Sequence, residues 1–195
     1  LFRDDASAIL TEMQDANNWA YFKANFDLVQ TKTNAVYDAW QNGYSNDFKG
    51  NTSSNVGGSI SLLVNQLNFD FELLKNAKIG IPLGKKTLGV TQVDKIESPF
   101  AKQSIALAVE NLNSIENAFK GASGSGLDDY LDALGAKYNQ NDLSDEILSG
   151  FAESRTALEA IDNDLATAID SETSKVETAH TALQNLVVLL KVDMP

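Results

Sequence analysis

The sequence predicts an all-α protein, an up-down bundle of about four long helices and one short helix. Apolar side chains recur three and four residues apart in several long segments, which is typical of amphipathic helices. No segment shows the strict alternation of apolar and polar residues that half-buried strands require. Stretches rich in glycine or interrupted by proline separate these segments. Because long helices joined by short connections pack best nearly antiparallel, the pattern favours a bundle.

The first two long helices each carry one apolar stripe. The first stripe comprises Phe22, Phe26, Val29, Thr33, Val36 and Trp40. An earlier helical piece precedes it, with a break expected at Asn17-Asn18, and Gly43 and the polar run 45–55 end it. The second stripe comprises Ile60, Leu63, Val64, Leu67, Phe71 and Leu74. Residues 79–99 are predicted to form a long ordered connection, because Pro82 lacks an N–H and restricts the residue before it.

The remaining helices follow the same rule, and we expect all the stripes to pack against one another. The third helix is predicted to start after Pro99, and its stripe is Ile105, Val109, Leu112, Ile115 and Phe119. A short helix spans Leu127 to Leu134. The fourth long helix is predicted to start at Ser144 as its N-cap, and its stripe is Ile147, Phe151, Leu158, Ile161, Leu165 and Ala168. The last helix holds Val176, Ala179, Leu183, Leu186, Val187 and Leu190.

Length and composition narrow the class of protein. A chain of 195 residues with 43% hydrophobic residues fits one helical-bundle domain, 1–195, in which residues 1–18 are a leading helix or a linker from a preceding bundle. Leu1 is not an initiator residue, so we expect a chain processed or cut from something longer. No apolar run approaches the roughly 20 residues that a membrane span needs. The net charge of −12 argues against nucleic-acid binding and against anionic lipid surfaces. The absence of cysteine excludes disulfides, thiolate metal sites and a cysteine nucleophile.

The single histidine, His180, limits the metal and catalytic sites that the chain can build. Glu177 and His180 form a Glu-x-x-His pair, the spacing that supplies half of a carboxylate-bridged di-iron site. The full site needs a second such pair, which the sequence lacks, so the metal interpretation is weak. We favour a hydrogen-bonded histidine at the boundary of the core. No Gly-x-Ser-x-Gly elbow is present for a serine triad, and residues 83–87 lack the features of a phosphate loop.

The polar segment from Glu97 and Ser98 to Ser104 is of interest because it lies at a predicted helix start. Glu97 and Ser98 directly precede Pro99, where a helix start favours carboxylate and hydroxyl side chains. Helix capping therefore accounts for Glu97 and Ser98 without any function. The residues alone are compatible with a binding site and with helix capping, and both interpretations stay open.

Six segments, taken in order, resemble the C-terminal half of imelysin-like proteins, also called the iron-regulated protein A-like or M75 peptidase family. The similarity runs from about Trp19 to the end of the chain. The matching segments are residues 69–74 (FDFELL), 78–84 (KIGIPLG), 97–104 (ESPFAKQS), 110–115 (ENLNSI), 126–131 (GLDDYL) and 189–193 (LLKVD).

The resemblance implies an exported bacterial protein of two helical bundles, periplasmic or lipid-anchored at the cell surface, and associated with iron uptake. Its hallmark, Gly-x-His-x-x-Glu, is missing, because Leu183 stands three residues after His180. The hallmark is expected in an N-terminal bundle outside this sequence; the alternative is a degenerate relative that has lost it. Glu97, Ser98 and Ser104 match the family's Glu-Ser-x-x-x-x-x-Ser region, which would contribute to a cleft between the bundles.

Three functional hypotheses follow from the resemblance. The leading one is a non-catalytic binding or accessory protein of iron uptake, whose cofactor is unknown unless it is iron. Its partners would be iron or an iron-uptake component and the N-terminal bundle of the same protein. The second hypothesis is the non-catalytic half of an M75-type metallopeptidase. The third is a structural or partner-binding bundle.

Overall fold

The structure, a computed structural model, describes residues 6–53 and 55–194, and at residues 192 and 193 it describes the backbone only. Helices dominate the described residues, so the all-α prediction is confirmed. The chain divides into two compact units, Leu1–Leu62 and Leu63–Pro195, and each is considered by itself. The assignment of 1–195 to one domain, and of 1–18 to a leading helix or linker, stays a prediction. Residues 1–5 of that segment lie outside the described residues.

Among its described residues, the first unit contains three complete helices, a kink and the start of a fourth helix. Its elements are α1 (Ala6–Met13), α2 (Ala16–Ala39), a π-helical turn (Trp40–Tyr44) and α3 (Ser45–Gly50). Asp15 caps α2 by accepting hydrogen bonds from the backbone N–H groups of Asn17 and Asn18, at 2.9 and 3.2 Å. The predicted break at Asn17-Asn18 therefore lies at residues 14–15, just before this cap. Gly43, with φ of 136°, ends the long helix as predicted.

The apolar stripe of α2 is exposed, which corrects the expectation that it belongs to the core. Helices α1 to α3 contain no buried residue. Phe26 and Val29 are 61% and 65% exposed. The aromatic rings contact one another locally instead, with the ring centre of Trp40 lying 4.9 Å from that of Tyr44 and 5.3 Å from that of Phe48. The period of the pattern predicted the helix correctly but could not say what covers its apolar face.

The second unit holds the remaining helices and one very short hairpin. Helix α4 (Ser59–Glu72) crosses the boundary between the units and continues as a π-helical stretch, Leu73–Gly80, called the π segment below. The later elements are a 3-10 turn (Val93–Lys95), α5 (Ser104–Phe119), α6 (Leu127–Leu134), β1 (Lys137–Tyr138), β2 (Asn141–Asp142), α7 (Leu143–Glu159), α8 (Leu165–Ser171), α9 (Thr173–Val188) and a π-helical end (Leu189–Asp193). Strands β1 and β2 pair antiparallel. Within the described residues, no helix combines the length and the apolarity that crossing a membrane demands.

The core of the second unit is built around Phe151 of α7. Its ring meets Phe71 of α4 edge to face at 6.2 Å and Phe119 of α5 at 6.0 Å, measured between ring centres. Leu112, Ile147, Leu158, Leu183 and Leu190 are fully buried around them. The stripes predicted for α5, α7 and α9 are therefore confirmed as core, apart from Ile105 and Val109, which are partly buried.

The connection after the π segment is ordered and packed, as predicted. Pro82 and Leu83 are buried, and the N–H of Gln92 donates to the carbonyl of Pro82 at 2.8 Å, which closes the connection into a compact loop. Ile96, 5% exposed, anchors its end in the core. The connection is thus anchored near its ends by Leu83 and Ile96, while Leu88 between them is fully exposed.

Two predicted helix starts are wrong. Helix α5 begins at Ser104 and not after Pro99, because Ser98 and Lys102 have positive φ values of 52° and 56° that an α-helix excludes. Helix α7 begins at Leu143, after Asp142 at the N-cap. Ser144 is buried in its first turn and donates its hydroxyl to the Asp132 carboxylate.

The predicted fourth helix is two helices. Helix α7 ends at Glu159, and α8 begins after Asp164, whose carboxylate accepts from the backbone N–H of Thr167 at 3.3 Å. Ile161, in the link between them, is nevertheless 6% exposed. The helical spacing of apolar residues therefore continues from α7 into α8, although Asp164 caps the start of a separate helix.

Candidate functional site

The candidate residues Glu97, Ser98 and Ser104 lie at the two ends of one short loop. Ser104 is 5% exposed and donates its hydroxyl proton to the backbone carbonyl of Glu97. The N–H of Lys102 donates to the carbonyl of Ser98 at 3.0 Å. These two bonds close the loop. Residues 97–104 are called the Glu97 loop below.

The Glu97 loop carries unusual backbone geometry for residues that are not glycine. Ser98 and Lys102 both occupy the left-handed region, with φ of 52° and 56°. A side chain there costs about 1 kcal/mol or more, and such strain concentrates at functional sites. Phe100, between them, is 42% exposed. The loop therefore presents the Phe100 ring between the polar side chains of Ser98 and Lys102.

Lys78 of the π segment connects the Glu97 loop to the body of the second unit. Its ammonium group forms an ion pair with the Glu97 carboxylate, and the two side chains are 20% and 44% exposed. The capping interpretation of Glu97 is wrong, because α5 begins seven residues later. The N-cap residue of α5 is Gln103, whose side chain makes no capping hydrogen bond. Sequence reasoning missed Lys78, although it begins the matching segment KIGIPLG.

A groove of about 280 Å³ lies between α4 with the π segment on one side and α5 on the other. Leu67, Leu74 and Ile115 contribute its apolar surface, and Asp70 and Lys78 its charged groups. Glu97, Ser98 and Ser104 do not line the groove themselves. Because Lys78 lines the groove and also binds Glu97, the Glu97 loop is attached to its rim.

Glu177 and His180 lie one turn apart on α9, but they are not free to act together. The Glu177 carboxylate forms an ion pair with Lys85. Among the side chains that the structure describes, which exclude those of residues 192 and 193, no group of three or more histidine or acidic residues is close enough to hold a metal ion. Because Lys85 already pairs with the Glu177 carboxylate, the site does not suit a metal cation between Glu177 and His180.

His180 lies half-buried at the edge of the core, with cationic neighbours. Burial first, and then the positive charges of Lys85 and Lys75, lower the pKa of His180 below 6.5, while Glu177 opposes the shift. The imidazole lies against Gly80, where a Cβ atom would come within 3.2 Å of its Nε2. The predicted position at the core boundary is confirmed. The predicted hydrogen bond of the ring is not found among the described residues.

Lys75 of the π segment is 6% exposed and fully paired. Its ammonium group donates to Oε1 of Gln184 at 3.0 Å and lies 3.1 Å from the Glu72 carboxylate. Lys191 binds the same carboxylate at 2.9 Å. Partial burial opposes the change, but these two lysines together lower the pKa of Glu72. The π segment thus places one lysine at α9 and another, Lys78, at the Glu97 loop.

The sequence matches the family model described as imelysin, peptidase M75, over residues 1–192. The chain belongs to the imelysin family. The match reaches beyond Trp19, where the resemblance was expected to begin, to the first residue. No curated protein matches this imelysin-family chain.

Among solved structures, the imelysin-family chain is similar to the crystal structure of an imelysin peptidase from Bacteroides ovatus. The two share 22% sequence identity, and the TM-score is 0.68. The similarity covers 86% of this chain and 50% of the other, so the chain spans half the length of that neighbour. At this identity the likeness shows the fold alone. The functional roles of Glu97, Ser98 and Ser104 stay predictions.

Proposed function

We propose that this imelysin-family chain is a non-catalytic binding or accessory protein of iron uptake, exported to the periplasm or the cell surface. The observation that carries the proposal is how Glu97 and Ser104 are engaged. Ser104 donates its proton to a backbone carbonyl and not to a base, so its hydroxyl is not activated as a nucleophile. Glu97 is held by Lys78 at the rim of the groove. Both residues fix the shape of a surface.

The Glu97 loop and the groove beside it are suited to recognition. The loop combines a fixed backbone, an exposed ring at Phe100 and an accessible carboxylate at Glu97. The groove adds an apolar surface next to the Lys78 ammonium group. Apolar walls with a few well-placed polar groups are typical of binding sites. The partner proposed for this surface is iron, or a component that carries it, together with the other half of the protein.

Iron titration of the full-length protein tests the proposal. Ferrous sulfate under anaerobic conditions and ferric citrate are titrated by calorimetry into the wild type, Glu97→Gln and Glu110→Gln. Glu110 is exposed on α5 and provides the matched loss of one carboxylate. Because the Glu97 carboxylate is paired with Lys78, we expect it to orient the binding surface and not to contact iron itself. Glu97→Gln should therefore weaken binding about tenfold, as for a residue that supports a metal site from outside it, and Glu110→Gln should leave binding unchanged.

Two further measurements address the cellular role. Cell fractionation locates the protein, and a transcript measurement under iron limitation reports its regulation. A cytoplasmic protein whose expression ignores iron, and which binds neither iron salt, contradicts the proposal. If Glu97→Gln and Ser104→Ala alter only stability, the structural or partner-binding hypothesis replaces it.

A second candidate is the non-catalytic half of an M75-type metallopeptidase. The observation in its favour is that the solved neighbour is described as an imelysin peptidase and is twice as long as the matched region. This candidate predicts that the full-length protein cleaves casein and that a chelator abolishes cleavage. Full-length protein that leaves casein and a peptide library intact argues against it.

A further inference from the structure

The surface around His180 is positively charged, although the chain as a whole carries a net charge of −12. Three ammonium groups act on the imidazole, those of Lys75, Lys85 and Lys86, and one carboxylate opposes them, that of Glu177. Lys75 comes from the π segment, the other two lysines from the turn that follows it, and Glu177 from α9. Three elements of local structure thus place charged groups around one ring.

Specific contacts hold this arrangement in place on both sides of His180. One turn before it, Glu177 binds Lys85, and one turn after it, Gln184 accepts a hydrogen bond from Lys75 at 3.0 Å. Gly80 lies against the ring itself, since a side chain at that position would meet Nε2 at 3.2 Å. The ring is therefore fixed by packing and not by a hydrogen bond to the described residues.

The charges do not cancel within the cluster. Glu177 is paired with Lys85, and Glu72 is shared by Lys75 and Lys191. Lys86 is exposed and makes no ion pair with any residue that the structure describes. Lys86 thus contributes a positive charge that no described carboxylate balances, beside a neutral imidazole with an N–H donor. Such a set attracts an anion and repels a metal cation.

We propose that His180, Lys85 and Lys86 form a binding site for a small oxyanion, the phosphate or carboxylate group of a ligand. The imidazole donates a hydrogen bond to one oxygen, and Lys86 supplies the unpaired charge. Lys85 stays bound to Glu177 and contributes its remaining donors. The site is separate from the Glu97 loop and does not depend on the function proposed for it. The π segment borders both sites, through Lys78 at the Glu97 loop and through Gly80 at His180. π-helical turns occur frequently at functional sites.

The single histidine provides a direct readout. The ring proton resonances of His180 are followed by NMR, and their loss in His180→Asn identifies them. Sodium phosphate and sodium acetate are titrated separately at constant ionic strength, with sodium chloride as the reference. We expect a saturable shift with the oxyanion that binds, and a higher pKa of His180 in its presence, because a bound anion favours the charged imidazole. The tighter of the two identifies the preferred group.

Matched lysine variants distinguish the site from general electrostatics. Lys86→Met is expected to weaken binding of the preferred anion about threefold, the effect of one exposed charge interaction. Lys49→Met removes an exposed charge on α3 and should leave binding unchanged. Equal weakening by both variants, undiminished binding in Lys86→Met, or no saturable shift with either anion overturns the assignment. None of these results bears on iron binding by the Glu97 loop.

Discussion

Ser104 donates its hydroxyl proton to the backbone carbonyl of Glu97, seven residues earlier in the chain. This one bond ties the first turn of α5 to the end of the connection that follows the π segment. It fixes the Glu97 loop at both ends, although Ser98 and Lys102 inside it have strained backbone angles. The bond positions the backbone of Glu97, and the ion pair with Lys78 holds its carboxylate at the rim of the groove.

Two of the buried serines of the second unit, Ser104 and Ser154, are expected to respond oppositely to alanine. Ser104→Ala removes the bond to Glu97 and should lower the free energy of unfolding by about 1 kcal/mol. Ser154 is 0% exposed and its hydroxyl has no hydrogen-bond partner, so Ser154→Ala should be neutral or stabilising by up to about 1 kcal/mol. Urea unfolding followed by circular dichroism measures both. Equal destabilisation by the two substitutions would show that the hydroxyl of Ser154 is satisfied.

Phe151 is expected to be the most sensitive core position. Its ring is fully buried and contacts both Phe71 and Phe119, so Phe151→Ala leaves a cavity and should cost about 3–5 kcal/mol. Phe69→Ala provides the control, since Phe69 lies on α4 in the same unit but is 57% exposed. Thermal and urea unfolding give the two values. A loss below 1 kcal/mol at Phe151 would mean that the core closes around the deleted ring.

Leu88 is a position where glycine should be the better residue. Its φ of 54° is unfavourable for a residue with a side chain, and that side chain is fully solvent-exposed. The strained backbone is therefore not offset by any burial of apolar surface. Leu88→Gly should therefore stabilise the protein by up to about 1 kcal/mol. Leu107→Gly, at the end of the first turn of α5, should destabilise by about 1 kcal/mol. The prediction fails if both substitutions lower the unfolding midpoint.

Glu172 is expected to make stability depend on acidity between about pH 4.5 and pH 2. A hydrogen bond from Lys175, and then the backbone N–H of Asp162, lower the pKa of Glu172 from 4.5 to about 2. Because the folded state binds this proton less readily than the unfolded state, the stabilisation is present above pH 4.5 and is lost as the pH falls towards 2.

Comparison of Glu172→Gln with Glu110→Gln measures this dependence. The stability difference between wild type and Glu172→Gln should be greatest at pH 5–7 and should shrink steadily towards pH 2. Glu110, exposed on α5 and without an ion pair in the described part of the chain, should show no such trend. Urea midpoints at half-unit pH steps give both curves. A constant difference across the range would contradict the role of Lys175 and the Asp162 backbone.

Part of the site was predictable, because its residues are neighbours in the chain. Glu97, Ser98 and Ser104 fall within eight residues, and the structure closes them into one loop. Lys78 was not predictable, because it binds Glu97 across 19 residues and through a turn whose direction depends on packing. The same holds for Lys75 and Gln184, which are 109 residues apart.

The stripes around Phe151 and along α2 show what periodicity does and does not determine. Both have the helical period and both formed helices, yet one is core and the other is exposed. The sequence by itself determined the helices, the acidic charge and the family, because these depend on local spacing and composition. The tertiary structure alone decided which apolar face is buried and which lysine meets which carboxylate. Burial and ion pairing depend on what another part of the chain places opposite a residue, and no local pattern contains that information.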